Sequence, residues 1–280
     1  MTTRGPESPD GADKPVRLNM AKPSVTRIHD AMLGGKDNFS TDRGIRDRLL
    51  AADPEFSRVS FDTRDFTLRV TRFLAGEMGI TQFLDLGASL PGHENTHDVA
   101  QRLNREATVL YVSRDPAVLA LGRALLEDND RTHMVEADVR KPRLLADHPV
   151  VAKYLDFDQP MAVYQIGTLH HIRDESDPAG ILAGHAEMMA PGSYLAMAHL
   201  LDPGPDHELA PLADEIRRIY FDSGIGGWFR SREAIEAMMA PVQLLEPGLV
   251  TLADWWPDGP RLRPLGPTQR LALGALGRKV

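Results

Sequence analysis

The chain has 280 residues, 42% of them hydrophobic and 26% charged, with a formal net charge of −8. This is enough apolar material for one large cored domain or two small ones and excludes a wholly disordered chain; the negative balance disfavours a phosphate backbone as partner. Cysteine is absent, which excludes a disulfide framework, a thiolate metal cluster and a cysteine nucleophile.

The opening MTTRGPESPDGADKPV is polar, rich in Pro, Gly and Asp, and lacks the apolar core of a signal peptide. Residues 1–20 are expected to be disordered, since they cannot offset their ordering entropy. No apolar run approaches the roughly 18 residues of a membrane span, so a cytoplasmic protein without a membrane partner is expected. Residues 21–80 read as a helical N-terminal layer. Ser24 is placed to cap a short helix ending at Gly34-Gly35, Thr41 or Asp42 to cap another, and residues 61–78 carry apolar side chains at helical spacing. The glycine pair beside a charged segment also suggests a lid.

From Gln82 the rhythm changes, and residues 81–280 are expected to form the main domain. QFLDLG, TVLYV, THMVEAD, MAVYQIG and SYLAMAHLL alternate with helical patterns over residues 96–104, 116–127, 144–154 and 177–189. Strands apolar on both faces, alternating with helices, predict a parallel sheet covered on both sides, hence a doubly wound α/β fold. A helix over residues 206–221 and another capped by Ser231 follow. VQLLE and LVTLADW are the predicted closing strands.

Ligands of open parallel sheets bind beyond the carboxyl ends of the strands. The first strand ends in Asp85-Leu86-Gly87-Ala88-Ser89-Leu90-Pro91, a turn that brings backbone N–H groups toward a ligand. It is not the GxGxxG of a nicotinamide site, and no phosphate loop ending in Gly-Lys-Ser/Thr is present. Three further strand ends carry polar groups: Ser113-Arg114-Asp115, Asp138-Val139 and Gln165 through Gly167. Acceptors there suit the hydroxyls of a ribose and the amino group of an adenine. Asp115, directly ahead of Pro116, is as well suited to capping a helix as to holding a ligand, and Asp138 somewhat less so.

The series PSVTRIHDAMLGGKDNFSTDR, QFLDLGASLP, NTHDVAQ, VLYVSRDPAVLALGRALL, LHHI, DPAGIL, APGSYLAMAHL and LEPGLV resembles a bacterial family of S-adenosylmethionine-dependent methyltransferases long known only as a domain of unknown function. The resemblance runs over residues 23–256 and is most specific at LGGKDNF. It implies a Rossmann-like, mainly parallel sheet of seven strands with the N-terminal helices closing the site. It also implies S-adenosylmethionine as cofactor and an unnamed methyl acceptor, taken here as a small molecule. The cofactor residues expected on these grounds are Asp85, Gly87, Ala88, Ser89, Ser113, Arg114, Asp115, Asp138, Val139 and Gly167. The chain departs from the family pattern at Ser89, where a second glycine is usual, at Ser113, where an acid is usual, and at His29 and Ala31, where tyrosines are usual. A regulatory, non-catalytic nucleoside-binding relative is the alternative.

His170 and His171 follow the fourth strand, at the mouth where an acceptor would meet the methyl group, and are the candidate catalytic bases; lining the pocket without chemistry is the plainer role for the pair. HENTH at residues 93–97 matches the HExxH zinc signature, but the stretch lies at a loop-to-helix junction rather than within one helix, and no metal site is expected. Arg140-Lys141 and Arg217-Arg218 are expected on solvated faces. Trp228, Trp255 and Trp256 are read as core, rim or pocket frame.

Overall fold

The computed structural model describes residues 20–87, 90, 92, 94–127 and 129–280; the expected disordered segment at 1–19 lies outside them. Three helices come first: α1 (Val25–Met32), α2 (Ser40–Ala52) and α3 (Ser57–Arg72), the last running into a π-helical turn at Phe73–Glu77. The LGGKDNF segment joins α1 to α2. Its Gly34 has φ +78°, a left-handed conformation that favours glycine. Asp30 accepts hydrogen bonds from the Asp37 N–H and the Asn38 amide at 3.0 and 2.8 Å, and a Cβ on Gly35 would lie 1.9 Å from the Asp30 carboxylate. The motif is therefore a self-packed turn. Asp42 accepts from the Phe39 N–H in the first turn of α2.

The sheet is built from β1 (Gln82–Asp85), β2 (Thr108–Ser113), β3 (Thr132–Glu136), β4 (Ala162–Ile166) and β5 (Tyr194–Leu200), all parallel, in the order β3-β2-β1-β4-β5. The helices between them are α4 (Thr96–Leu103), α5 (Pro116–Leu125), α6 (Pro142–Ala146), α7 (Pro149–Tyr154) and α8 (Pro178–Met188). The helix expected over 144–154 is thus two, because Pro149 cannot continue a helix and opens a new one at its first position. Beyond β5 come α9 (Ala210–Asp222), α10 (Arg232–Met238) with the Ser231 hydroxyl accepting from the Ala234 N–H, β6 (Gln243–Leu244), β7 (Val250–Thr251) and β8 (Ala272–Arg278).

The closing strands differ from expectation. VQLLE and LVTLADW contribute only two-residue strands, and the long closing element is β8, antiparallel to β5, β6 and β7 in a sheet of eight strands. Its sequence ALGALGR reads as a poor strand because glycine has low strand propensity. The glycines are steric: a Cβ on Gly274 would lie 2.6 Å from Leu252, and one on Gly277 2.3 Å from Val242.

Alternate strand residues enter opposite cores, as strand pleat requires. Phe83, Tyr111, Tyr164 and Ala196 pack under α1, α3, α4, α5 and α9, while Leu84, Leu110, Val163 and Met197 pack over α6, α7, α8 and α10. Both faces are thereby dry, and the sequence reverses direction between β1 and β4, which opens a crevice at their carboxyl ends. Among the described residues no helix is long and apolar enough to cross a membrane.

Candidate functional site

A cleft of about 480 Å³ lies beyond the ends of β1 to β4, within the range of small-molecule sites. Gly87, Ser113, Arg114, Asp138, Val139, Gly167 and His171 all line it, so seven of the expected residues meet in one place. Asp85, Asp115 and His170 do not line it, and Ala88 and Ser89 lie outside the described residues.

The Asp138 carboxylate takes hydrogen bonds from Arg140, at 2.7 Å to Nη2, and from Arg114 at 3.2 Å. The bond to Arg140 above all holds its pKa down to about 2, so it is an acceptor at any physiological pH. Arg140 lines the cleft in this pairing while remaining exposed, as expected of a solvated face; Arg217 pairs with Asp202 and Asp214. Beside Asp138, the Val139 N–H has no hydrogen-bond partner among the described residues, while the Val139 carbonyl accepts from His185 Nε2 at 2.8 Å, across from α8. A fixed acceptor and a backbone donor thus stand on adjacent residues of the cleft.

Gly87 is required by packing: a Cβ there would lie 2.5 Å from the Ile166 carbonyl oxygen. Its role is to bring the β1 turn against β4, and through that the cleft keeps its floor. Gly167 has φ +73°, again a glycine conformation. The Ser113 hydroxyl accepts from the Asp115 N–H at 3.1 Å.

Asp115 takes the capping role it is suited to ahead of Pro116 and does not line the cleft. One carboxylate oxygen accepts from the Ala117 N–H at 2.9 Å, and the other from Arg27 Nη1 at 2.7 Å. Arg27, 4% exposed, also binds the fully buried Asp42 at 2.8 Å. One guanidinium thus ties α1 to α2 and to the sheet. Sequence reading missed Arg27 because nothing local marks a charge whose partners stand 15 and 88 residues away.

Two further cavities adjoin the cleft. A polar one shares Gly87 with it and is lined by Arg64, Asp85, Glu94, Asn95 and His29. Asp85 accepts from the Gly87 N–H at 3.0 Å and from Thr96 at 3.3 Å; burial nevertheless pushes its pKa up to about 6. Arg64 was not expected. Its signal is a charge on the inward stripe of α3, four residues from buried Ser60 and Leu68 on either side. The third cavity, about 90 Å³ and mainly apolar, shares Val25, Gly167 and His171 with the cleft and contains His170 and His199. Burial pushes His171 down to about 4 and holds His170 well below the ordinary histidine value. Helix α1 contributes residues to all three spaces.

The other candidates resolve into structure. His97 packs against the Tyr111 ring and bonds its hydroxyl at 2.9 Å; His93 lies outside the described residues. Among the described residues no cluster of His, Asp and Glu could hold a metal ion. Trp255 is fully buried against Phe66, Trp256 stacks on it from the surface, and Trp228 lines the cleft.

A family model described as S-adenosyl methyltransferase matches residues 11–280. Among solved structures, the chain is similar to a candidate methyltransferase from Thermobifida fusca YX, with 40% identity, TM-score 0.88 and coverage of 95% of this chain and 98% of that one. It is similar also to a DUF574-family protein from Streptomyces avermitilis, with 32% identity, TM-score 0.88 and coverage of 94% and 100%. An O-methyltransferase family protein from Burkholderia thailandensis, 14% identical over 84% of this chain and 60% of that one with TM-score 0.52, shares the fold alone. No curated protein matches the sequence.

Proposed function

Because this chain belongs to the S-adenosyl methyltransferase family, we propose that it transfers a methyl group from S-adenosylmethionine to a small molecule, with the strand-end cleft as the adenosyl site. The observation that carries this reading is the unpartnered Val139 N–H beside the Asp138 carboxylate in a cleft of about 480 Å³. An adenine edge offers the complementary pair, an amino group for the carboxylate and a ring nitrogen for the N–H. The residues present fit the cofactor.

In this reading Ser113 faces the ribose, and the polar cavity next to Gly87 takes the methionyl end. Arg64 is the counter-charge for its carboxylate, and Asp85 for its ammonium. A bound ammonium would keep Asp85 ionised despite burial, since a nearby opposite charge favours the charged form. S-adenosylmethionine, when bound, supplies an electrophilic methyl carbon on a sulfonium, which leaves as a neutral thioether. What the chain itself supplies is orientation, exclusion of water by α1, and an imidazole lone pair at His170 or His171 for an acceptor that must lose a proton.

Calorimetric titration with S-adenosylmethionine and S-adenosylhomocysteine, with NAD and ATP as controls, tests the reading. Micromolar binding of the first pair and none of the second is expected; absence of heat from the first pair would end it. Ser113, standing where relatives are acidic and already bonded within its own turn, favours one alternative, a non-catalytic nucleoside-binding relative. Binding of the cofactor without its consumption in the presence of any acceptor would favour that alternative.

A further inference from the structure

The apolar cavity behind Gly167 has walls of Ile28, Met32, Phe56, Val59, Leu200 and Leu252, and no Asp, Glu, Lys or Arg is among the described residues lining it. A charged molecule entering it would give up its hydration with no counter-charge to replace it. Its volume, about 90 Å³, is below the ~150 Å³ at which a dry apolar cavity admits benzene. A ring of benzene's size therefore enters only in part, with the rest of the occupant lying in the strand-end cleft, which shares Val25, Gly167 and His171 with the cavity.

The polar groups of this chamber are mostly imidazoles, and they differ in what they have left to offer. His199 is saturated: Nδ1 donates to the Leu200 carbonyl at 2.7 Å and Nε2 accepts from Arg230 at 2.9 Å. His171 has Nδ1 2.8 Å from the Gly226 carbonyl. A carbonyl only accepts, so Nδ1 carries the hydrogen and Nε2 holds a bare lone pair. His170, whose ring centroid is 4.3 Å from that of His171, has a buried Nδ1 with no partner. His171 lines both this chamber and the strand-end cleft. The remaining titratable or charged groups that face or back it are His29 from α1, Tyr220 from α9, His199 from β5 and Arg230 behind His199. Burial keeps the imidazoles neutral at physiological pH.

The geometry points to a specific acceptor class: a small, uncharged molecule of about one aromatic ring bearing one weakly acidic hydroxyl, which donates to His171 Nε2. This rests on the methyl-transfer reading. As the acceptor oxygen forms its bond to the methyl carbon, the carbon–sulfur pair stays on sulfur and the hydroxyl proton passes to His171 Nε2, from which it leaves to water. The charge lost at sulfur is thereby the charge gained at the imidazole. The ring of the acceptor lies against Phe56, Val59 and Leu252. His170 holds His171 in place from the side and gives its unpartnered nitrogen to any second polar group on the acceptor.

The test is calorimetric titration of the whole protein with phenol, toluene, benzoate and benzylamine, each with and without saturating S-adenosylhomocysteine. Phenol is expected to bind about tenfold more tightly than toluene, the worth of one hydrogen bond, and more tightly than either charged ring. His171→Phe should abolish the phenol preference and leave toluene affinity within about threefold. Equal or tighter binding of benzoate or benzylamine, no binding of any of the four, or a phenol preference that survives His171→Phe would overturn the assignment. Should His171→Phe fail to fold, the 15N resonance of His171 Nε2 in the unaltered protein decides. A shift on phenol addition supports the contact, and an unmoved resonance removes it. Silence of S-adenosylhomocysteine itself would fail the cofactor reading while leaving the phenol arm to be read alone.

Discussion

In the proposed adenosyl site, Asp138 and Val139 set a backbone donor beside a side-chain acceptor. The donor is a backbone N–H, and it is aimed by the carbonyl of the same residue, held at 2.8 Å by His185. His185 is fully buried, so it acts from behind the cleft. His185→Ala should weaken S-adenosylhomocysteine binding by about five- to tenfold, the worth of a lost neutral hydrogen bond. His185→Gln, which restores a donor, should recover most of that affinity; equal losses of thermal stability in both variants with unchanged affinity would assign His185 to packing alone. Ser113 is the complementary case. An acid there gives a ribose diol a charge-assisted partner that a hydroxyl cannot match, so Ser113→Asp should tighten S-adenosylmethionine binding about tenfold by calorimetry. An unchanged constant would mean the ribose does not reach β2. Which strand ends carry polar groups was legible in the sequence, since β1 to β5 announce themselves by apolar runs. The Asp115 cap ahead of Pro116 was legible as well, but its tie to Arg27 was not, because that partner is remote in sequence.

At the scale of elements, α1 is the piece whose position matters most, and a single guanidinium fixes it. Replacing Arg27 leaves Asp42, 0% exposed, as an unpaired buried carboxylate, which costs about 3–5 kcal/mol. Arg27→Met should therefore lower the free energy of unfolding read from urea titration by that amount. A second change, Asp42→Leu, should return part of it, because removing both charges relieves the burial penalty that removing one exposes. Strand β8 makes a different point. Its glycines are demanded by neighbours, Leu252 and Phe66 at Gly274 and Val242 at Gly277, so periodicity and propensity misread it while VQLLE and LVTLADW looked better than they are. Gly274→Val is expected to cost about 1–3 kcal/mol through overpacking despite valine's higher strand propensity; a stabilised variant in thermal melts would refute the steric account. The helix boundaries that sequence placed well, at Asn95, Pro116 and Pro178, are those set by local capping chemistry.

For the molecule as a whole, the buried imidazoles set an acid limit. His29, His171 and His185 are pushed down to about 4 and His199 to about 3, in each case chiefly by burial. Unfolding returns them to about 6.5, so between pH 6.5 and 4 the unfolded chain binds more protons and stability falls as pH falls. Asp85 acts oppositely: its pKa, raised to about 6, makes the folded state the better proton acceptor between about 4 and 6, and its contribution is lost as pH rises through that window. Among the described residues five imidazoles are pushed down, His170 included, against four carboxylates pushed up, Asp30, Asp62, Asp65 and Asp85, of which Asp85 alone is shifted far; melting temperature should therefore drop on the order of 10 °C or more from pH 7 to pH 5, and a flat profile would show the imidazoles to be hydrated. The sheet holds a last consequence, for synthesis. Strand β8 is the final strand along the chain, yet it sits inside the sheet, between β5 and the fragments β6 and β7. A nascent polypeptide with all five parallel strands already emerged still presents β5 as a bare edge, with its backbone groups open to pairing with another chain. That edge closes only when seven late residues, Ala272–Arg278, pair along it.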